Sequence, residues 1–341
     1  MTDRTPGVVT VVGAGSWGTA LANLLAGAGH SVRLWARESH VVESIQSQGV
    51  NSAFLDGIAL DRKHLEPTTS LELALTGTGA IVWVCPAQYS RRLLEDARKY
   101  IPGGALIVSC TKGIEVTTLC RMDELFHDVL SPEQAARFCV LSGPSFALEV
   151  AQGAPTAVVV AGSNVDDREE AQDLFQTDRF RVYTNPDVVG VELGGALKNV
   201  IALAAGTVSG LALGHNALAG LITRGLAEMT RLGTAFGAEP ATFAGLAGMG
   251  DLVLTCTGAL SRNRAVGVRL GQGESIEEIL QGSTSVAEGD ATARAVKKIA
   301  DSKNVEMPIS TEVYRILAEE ADPRDAVHRL MTRAPKSEVW A

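Results

Sequence analysis

The sequence predicts an α/β domain, doubly wound on a mostly parallel sheet, followed by a second, all-helical domain. Three observations carry this. Short β-rich runs alternate with helical patterns through the first half of the chain. The runs at 8–12 and 81–84 are apolar throughout rather than alternating, as in strands covered on both faces. After about Asp187 only helical patterns remain, separated by glycine-rich punctuation.

Taken in order, the expected strands are 8–12, 31–35, 80–84, 105–109, 138–141, 156–160 and 181–183. A helix over 19–28 is expected between the first two. Asn185-Pro186 stops the strand pattern, and a long helix begins just beyond it. This places a dinucleotide-type α/β domain at 1–189 and a helical domain at 190–341. The most apolar stretch, 199–214, is shorter than the roughly 20 residues that span a bilayer. It also contains Asn199, Thr207 and Ser209, so it reads as a buried helix. The tail from Pro335 is expected to be loosely held.

Composition narrows the function. The chain has 341 residues, 46% of them hydrophobic and 20% charged, which suits a well-packed globular protein. Its 30 Lys+Arg against 39 Asp+Glu give a net charge of −9. That argues against nucleic-acid partners and against binding to an anionic membrane. A small anionic ligand stays compatible if cations are gathered locally. The 5 cysteines form no CxxC pair, and the histidines show no metal spacing. A reduced cytoplasmic setting, with no disulfide framework and no metal, is therefore expected. The chain opens on a short polar stretch without a signal-peptide core.

Gly13-Ala14-Gly15-Ser16-Trp17-Gly18 is a GxGxxG motif. With 35 glycines present the motif alone is weak, but it follows an apolar strand and opens a helix. Gly13 permits the tight turn, and Gly15 lets backbone approach a pyrophosphate. Gly18 lets helix and strand close together, and the helix start at Ser16 and Trp17 offers N–H groups. A Rossmann-like dinucleotide site follows. Arg37, at the end of the second strand, suits a 2′-phosphate and favours NADP(H). Glu38, one residue on, keeps NAD(H) in play.

At this point the chain resembles the bacterial NAD(P)-dependent glycerol-3-phosphate dehydrogenases. The resemblance rests on Gly13–Gly18, the Leu34–Arg37 strand end, Thr111–Glu115, Leu141–Ala147 and Gly190–Asn199. It continues through Leu221–Gly225, Gly248–Leu252, Ser261–Asn263 and Ala287–Gly289, in matching order and spacing. It implies interconversion of dihydroxyacetone phosphate and sn-glycerol 3-phosphate in the cytoplasm, feeding phospholipid synthesis, by a homodimer. Asp56, Ala87 and His215 depart from the usual pattern, which bears on loops and packing only. Two rival readings are a related two-domain 2-keto or hydroxy-acid reductase and a catalytically inactive NADP(H) sensor.

Reducing a phosphorylated ketone needs a facing nicotinamide, an acid for the carbonyl oxygen, and a cationic pocket for the phosphate. Lys198 lies on a helix face with Val191, Gly194, Ala202, Ala205 and Ser209, which is almost entirely small. A lysine there is partly desolvated, which lowers its pKa. The resemblance assigns Lys198 the proton donor and acceptor role. Lys112 follows a strand at its carboxyl end, where open parallel sheets bind ligands. It is expected to reach the substrate and the cofactor side. Asp251, after a glycine-rich loop, could orient Lys198 or accept from the substrate hydroxyl; it also suits a helix N-cap. Ser261-Arg262-Asn263 reads as a helix start, with Ser261 as cap and the substrate phosphate on Arg262 and Asn263. By resemblance, Gly143 and Ser145 touch the substrate. Ala147, Val286 and Glu288 touch the cofactor, which Arg262 also approaches.

Overall fold

The computed structural model describes residues 7–281, 287–335 and 337–338. Eight strands form one sheet: β1 (Val9–Val12), β2 (Val32–Trp35), β3 (Leu65–Thr68), β4 (Ala80–Trp83), β5 (Leu106–Ser109), β6 (Phe138–Ser142), β7 (Thr156–Gly162) and β8 (Phe180–Asn185). In the first half, helices α1 (Ser16–Gly27), α2 (Ser39–Gln48), α3 (Leu71–Leu75), α4 (Ala87–Ala97), α5 (Met122–Val129), α6 (Pro132–Ala135), α7 (Ala147–Ala151) and α8 (Val165–Phe175) connect them. Then come α9 (Val188–Gly210), α10 (Gly214–Ala235), α11 (Pro240–Phe243), α12 (Asp251–Thr257), α13 (Arg262–Gly271) and α14 (Ile276–Gln281). Last are α15 (Ala287–Ser302), α16 (Pro308–Ala318) and α17 (Pro323–Met331).

The chain packs as two compact units. One holds residues 1–196 with 236–251, and the other holds 197–235 with 252–341. The expected division at 189/190 thus falls inside α9.

In the first unit the sheet order is β3-β2-β1-β4-β5-β6-β7-β8. Every pairing is parallel except β6–β7. Alternate residues of one strand enter opposite cores. Val9 and Val11 of β1, Val82 of β4 and Val108 of β5 join one cluster. Val12, Ile81 with Trp83, and Ile107 join the other. A strand buried on both faces has no polar period to keep, which is why these runs are almost entirely apolar, with Thr10 and Ser109 the buried exceptions in β1 and β5. The carboxyl ends of β1, β4, β5 and β6 share one sheet edge. The order reverses between β1 and β4, the position where doubly wound sheets bind ligands.

β3 was not among the expected strands. It is a four-residue edge strand with Pro67 inside it, paired to β2 on one side only. An edge tolerates a residue without an N–H, and the same proline hides the strand from a sequence reading. The apolar stretch expected to be short belongs to a longer helix. α9 has 23 residues and enough hydropathy to cross a membrane by length and composition, yet 83% of its apolar window is buried. Its apolar surface is therefore accounted for by packing inside the protein.

In the second unit, α9 and α13 meet without side chains between them. A Cβ at Gly206 would lie 2.1 Å from the Arg264 carbonyl oxygen, and one at Gly267 2.0 Å from that of Leu203. Gly210 and Gly271 meet their opposite helix in the same way. At the start of α16, Glu228 of α10 accepts from the N–H groups of Ile309 (2.6 Å) and Ser310 (3.1 Å) and from the Ser310 hydroxyl. Burial outweighs these three bonds and pushes the Glu228 carboxyl up to about 7.

Candidate active site

The glycine-rich turn after β1 fits a dinucleotide residue by residue. Gly13 has φ +114°, which a side chain rarely adopts, and a Cβ there would press on the Val84 carbonyl. At Gly15 a Cβ would meet nothing within 4 Å, so this is the open face. At Gly18 it would lie 1.8 Å from the Gly13 carbonyl oxygen, so the helix sits directly on the turn. Gly15 caps α1 with no side-chain bond to the first-turn N–H groups. Trp17 Nε1 is buried without a partner. Such an orphaned donor beside an uncapped helix start fits an anionic, hydrogen-bonding ligand.

The turn is braced from outside. Asn51 is fully buried and donates to the Ala14 carbonyl (2.9 Å) and the Thr19 hydroxyl (2.8 Å). Ser16 Oγ donates to the Phe54 carbonyl at 2.6 Å. At the end of β2, Arg37 is largely exposed and paired with Glu38. Sequence reasoning missed Asn51, because a lone asparagine in a loop carries no motif.

The Lys112 ammonium lies between the Asp251 carboxylate (Nζ–Oδ2 2.8 Å) and the Gly143 carbonyl (3.2 Å). Asp251 is completely buried, while Lys112 keeps about a fifth of its side chain exposed. A buried carboxylate thus anchors a cation whose surface still faces solvent. Asp251 is the first residue of α12, reached through a wide helical turn at 246–250, and its carboxylate pairs with Lys112. Gly143 has φ +137°, and a Cβ there would come 2.9 Å from Val158 Cα, so the backbone itself lines this position. Ser145 Oγ donates to the Gly143 carbonyl (3.1 Å), and Ala147 opens α7.

The loop carrying Lys112 is clamped by α4. Gln88 donates to the Ile114 carbonyl (2.7 Å) and accepts from the Val116 N–H (3.0 Å). Arg91 Nε bonds both oxygens of the buried Glu115 (2.9 and 3.0 Å). The carboxylates of Glu115 and Asp128 hold the Arg91 guanidinium above its ordinary pKa. Neither Gln88 nor Arg91 was singled out from sequence. A polar residue spaced along an amphipathic helix looks like a solvated face until the loop it grips is known.

In the second unit, Lys198 is 6% exposed, and its ammonium donates to the Thr255 hydroxyl at 3.0 Å. The small helix face expected around it is buried at Ala202 and Ala205. Ser261 caps α13, its Oγ accepting from the Arg264 N–H (3.2 Å). Arg262 is exposed in the first turn, which contains no acidic residue, and Asn263 is half-buried beside Gly289. A helix start with no acidic residue and an arginine in its first turn has components of an anion site. Val286 lies outside the described residues, as does the side chain of Glu288. No cluster of potential metal ligands occurs among the described residues.

The first unit offers an amine fixed by a buried carboxylate and an open helix start at Gly15; the second offers a buried amine and a helix start with an arginine in its first turn. Comparison with known proteins agrees with that chemistry. The family described as NAD-dependent glycerol-3-phosphate dehydrogenase matches in two parts, its N-terminus at residues 8–168 and its C-terminus at 187–328. A glycerol-3-phosphate dehydrogenase (NAD(P)+) of Geobacter metallireducens is 56% identical over 330 residues, covering 97% of this chain and 98% of that one. The crystal structure of glycerol-3-phosphate dehydrogenase from Coxiella burnetii matches with a TM-score of 0.89 at 41% identity, over 96% of this chain and 99% of that one. A ketopantoate reductase from Ralstonia eutropha shares the fold alone. Its TM-score is 0.60 at 16% identity, over 94% of this chain and all of that one.

Proposed function

The chain belongs to the NAD-dependent glycerol-3-phosphate dehydrogenase family and is an NAD(P)-dependent oxidoreductase acting on glycerol 3-phosphate, and from that premise we propose how its residues divide the work. Lys198 moves the proton. In the reductive direction its ammonium protonates the oxygen at C2 of dihydroxyacetone phosphate. In the oxidative direction the neutral amine takes that proton back. Thr255 holds the ammonium in place meanwhile. The observation that carries this reading is a lysine 6% exposed on a helix face of small residues. Desolvation there disfavours the charged form and readies the amine for transfer.

Lys112 holds the substrate oxygens, and Asp251 fixes Lys112. Gly143 and Ser145 line the same position, and Ser261, Arg262 and Asn263 at the start of α13 take the phosphate. NAD(P)(H), when bound, would supply or take up the hydride at C2 of the substrate. Gly13, Gly15, Ser16, Trp17 and Gly18 would hold its pyrophosphate, Arg37 its 2′-phosphate, and Lys112, Ala147 and Arg262 its nicotinamide half. NADP(H) is the favoured cofactor on the strength of Arg37. The enzyme works as a cytoplasmic homodimer that supplies glycerol 3-phosphate to phospholipid synthesis.

The test is oxidation of NADPH with dihydroxyacetone phosphate, with dihydroxyacetone as control. Lys198→Ala should lower turnover by about 10²–10⁴-fold, the usual share of a general acid. Its affinity for NADPH should persist. Near-wild-type turnover in the variant would remove Lys198 from the chemistry.

A further inference from the structure

Glu192 lies in the first turns of α9 and is 7% exposed. Its Oε1 accepts from the Asp123 N–H, in the first turn of α5, at 3.0 Å. Its Oε2 and Asp123 Oδ1 are buried and have no donor among the described residues. The two carboxyl groups are nonetheless within hydrogen-bonding reach of each other. Arg121, the N-cap residue of α5, does not fill the gap. It pairs with Asp123 (Nη2–Oδ2 3.0 Å) and Glu124 (Nη1–Oε1 2.9 Å), and its Nε stays 3.6 Å from Glu192 Oε2. Three carboxyl groups thus face the Arg121 guanidinium. Two buried acceptors side by side need a donor between them, and a single proton supplies it. Burial first, and the facing Asp123 carboxylate second, push the Glu192 carboxyl well above its ordinary range, so Glu192 carries that proton.

This contact sits between two supports of Lys112. Asp123 follows the Lys112 loop, whose other end Arg91 grips through Glu115. On α9, one turn after Glu192, Gly195 faces Lys112 itself. A Cβ there would lie 3.5 Å from Lys112 Cγ and 2.9 Å from Ser142 Oγ. A Cβ at Gly194 would lie 2.6 Å from the Ala247 carbonyl oxygen, in the turn that delivers Asp251. The start of α9 therefore presses on the stem of Lys112 and on the support of its anchor. We propose that Glu192 is a positioning residue for Lys112, locking the start of α9 to the loop that carries the lysine through a proton shared with Asp123. This rests on the reading of Lys112 as the amine that holds the substrate. Loss of the proton leaves two carboxylates in one buried place, and their repulsion drives α9 away from α5.

The test is KM and kcat for dihydroxyacetone phosphate with NADPH, from about pH 6 to about pH 9.5. As pH rises the wild type loses the shared proton, and its KM should climb. Glu192→Gln carries a permanent donor in the same shape. Its KM should match the wild type at neutral pH and climb about tenfold less at the alkaline end. Every other titrating group is present in both proteins, so the difference between the profiles belongs to Glu192. Glu192→Met keeps the volume and removes both bonds. It should raise KM about tenfold at neutral pH and leave kcat within about twofold. Superimposable KM profiles for wild type and Glu192→Gln, or a fall in kcat at unchanged KM in Glu192→Met, would overturn the proposal. If Glu192→Met does not fold, the Glu192→Gln profile decides alone. Lys112→Ala, measured alongside, should raise KM steeply. An unchanged KM there sinks the reading of Lys112, and the proposal with it. If only the Glu192 results fail, Lys112 keeps its role, held by Asp251 without Glu192.

Discussion

Gly267→Ala tests the helix seam on which the proposed α13 anion site depends. The new Cβ would lie 2.0 Å from the Leu203 carbonyl oxygen and 2.9 Å from Gly206 Cα. An ordinary contact begins near 3.4 Å, so α9 and α13 must part by about 1.4 Å there. Both obstacles are backbone, which cannot rotate aside. Overpacking of this kind costs about 1–3 kcal/mol. Parting the helices also thins contacts at Gly206, Gly210 and Gly271. Alanine returns up to about 1 kcal/mol through helix propensity, which leaves a net loss of about 2 kcal/mol. The second unit should then melt roughly 4–8 °C lower, on the usual scale for a domain of that size. Arg262 opens the displaced helix. A shift near 1 Å at a positioning group can cost about 100-fold in rate, so kcat/KM for dihydroxyacetone phosphate should fall steeply. Gly220→Ala in α10 is the control, because a Cβ there meets nothing within 4 Å. It should melt as the wild type or slightly higher. Thermal unfolding by circular dichroism and steady-state kinetics decide the matter. Wild-type melting and an unchanged KM in Gly267→Ala would refute the close crossing.

Two further perturbations follow from buried charges. Glu228 titrates near 7 when folded against an ordinary 4.5. Between those values the native state holds a proton that the unfolded chain has released, so its contribution is full below 4.5 and lost as pH rises to 7. Glu228→Gln should therefore flatten the decline in unfolding free energy across that window by up to about 3 kcal/mol. Parallel urea curves for variant and wild type at pH 4.5, 6 and 7.5 would contradict this. Arg91→Met should leave Glu115 buried without its main partner and loosen the loop holding Lys112. KM for dihydroxyacetone phosphate should rise about tenfold, with Arg91→Lys recovering part of it; an unchanged KM would separate the clamp from the site.

How much was legible depended on how local the signal is. The sheet's interior strands were readable because burial on two faces makes their sequences predominantly apolar, with no alternation. β3 was not, because an edge strand needs neither the apolar run nor the N–H that Pro67 lacks. Helix α13 was readable at its start, since Ser261 caps it through a bond three residues long. The residues that could be named from sequence carry their chemistry themselves: lysines, an arginine, and glycines at motif spacing. Those missed act on others across long separations. Asn51 holds a turn 37 residues away, and Arg91 reaches a carboxylate 24 residues on. Pairing of this kind depends on topology, which spacing along one chain does not encode.

The same separation explains how a chain of net charge −9 can serve phosphorylated ligands. A uniformly basic surface would attract any polyanion. Here cations are few at each place, and acceptors position them. Arg37 lies against Glu38, Lys112 against Asp251 and Gly143, and Lys198 against Thr255. Each acceptor neutralises or orients its cation before a ligand arrives, which weakens indiscriminate attraction. It also limits the side-chain freedom lost when the ligand binds. The acceptors differ in character. The carboxylate at Lys112 is buried, while the one at Arg37 is partly exposed. At Lys198 a hydroxyl is among the acceptors. The acceptors thus range from a buried carboxylate through an exposed one to a hydroxyl, and each limits how far its cation is free to meet an arbitrary anion.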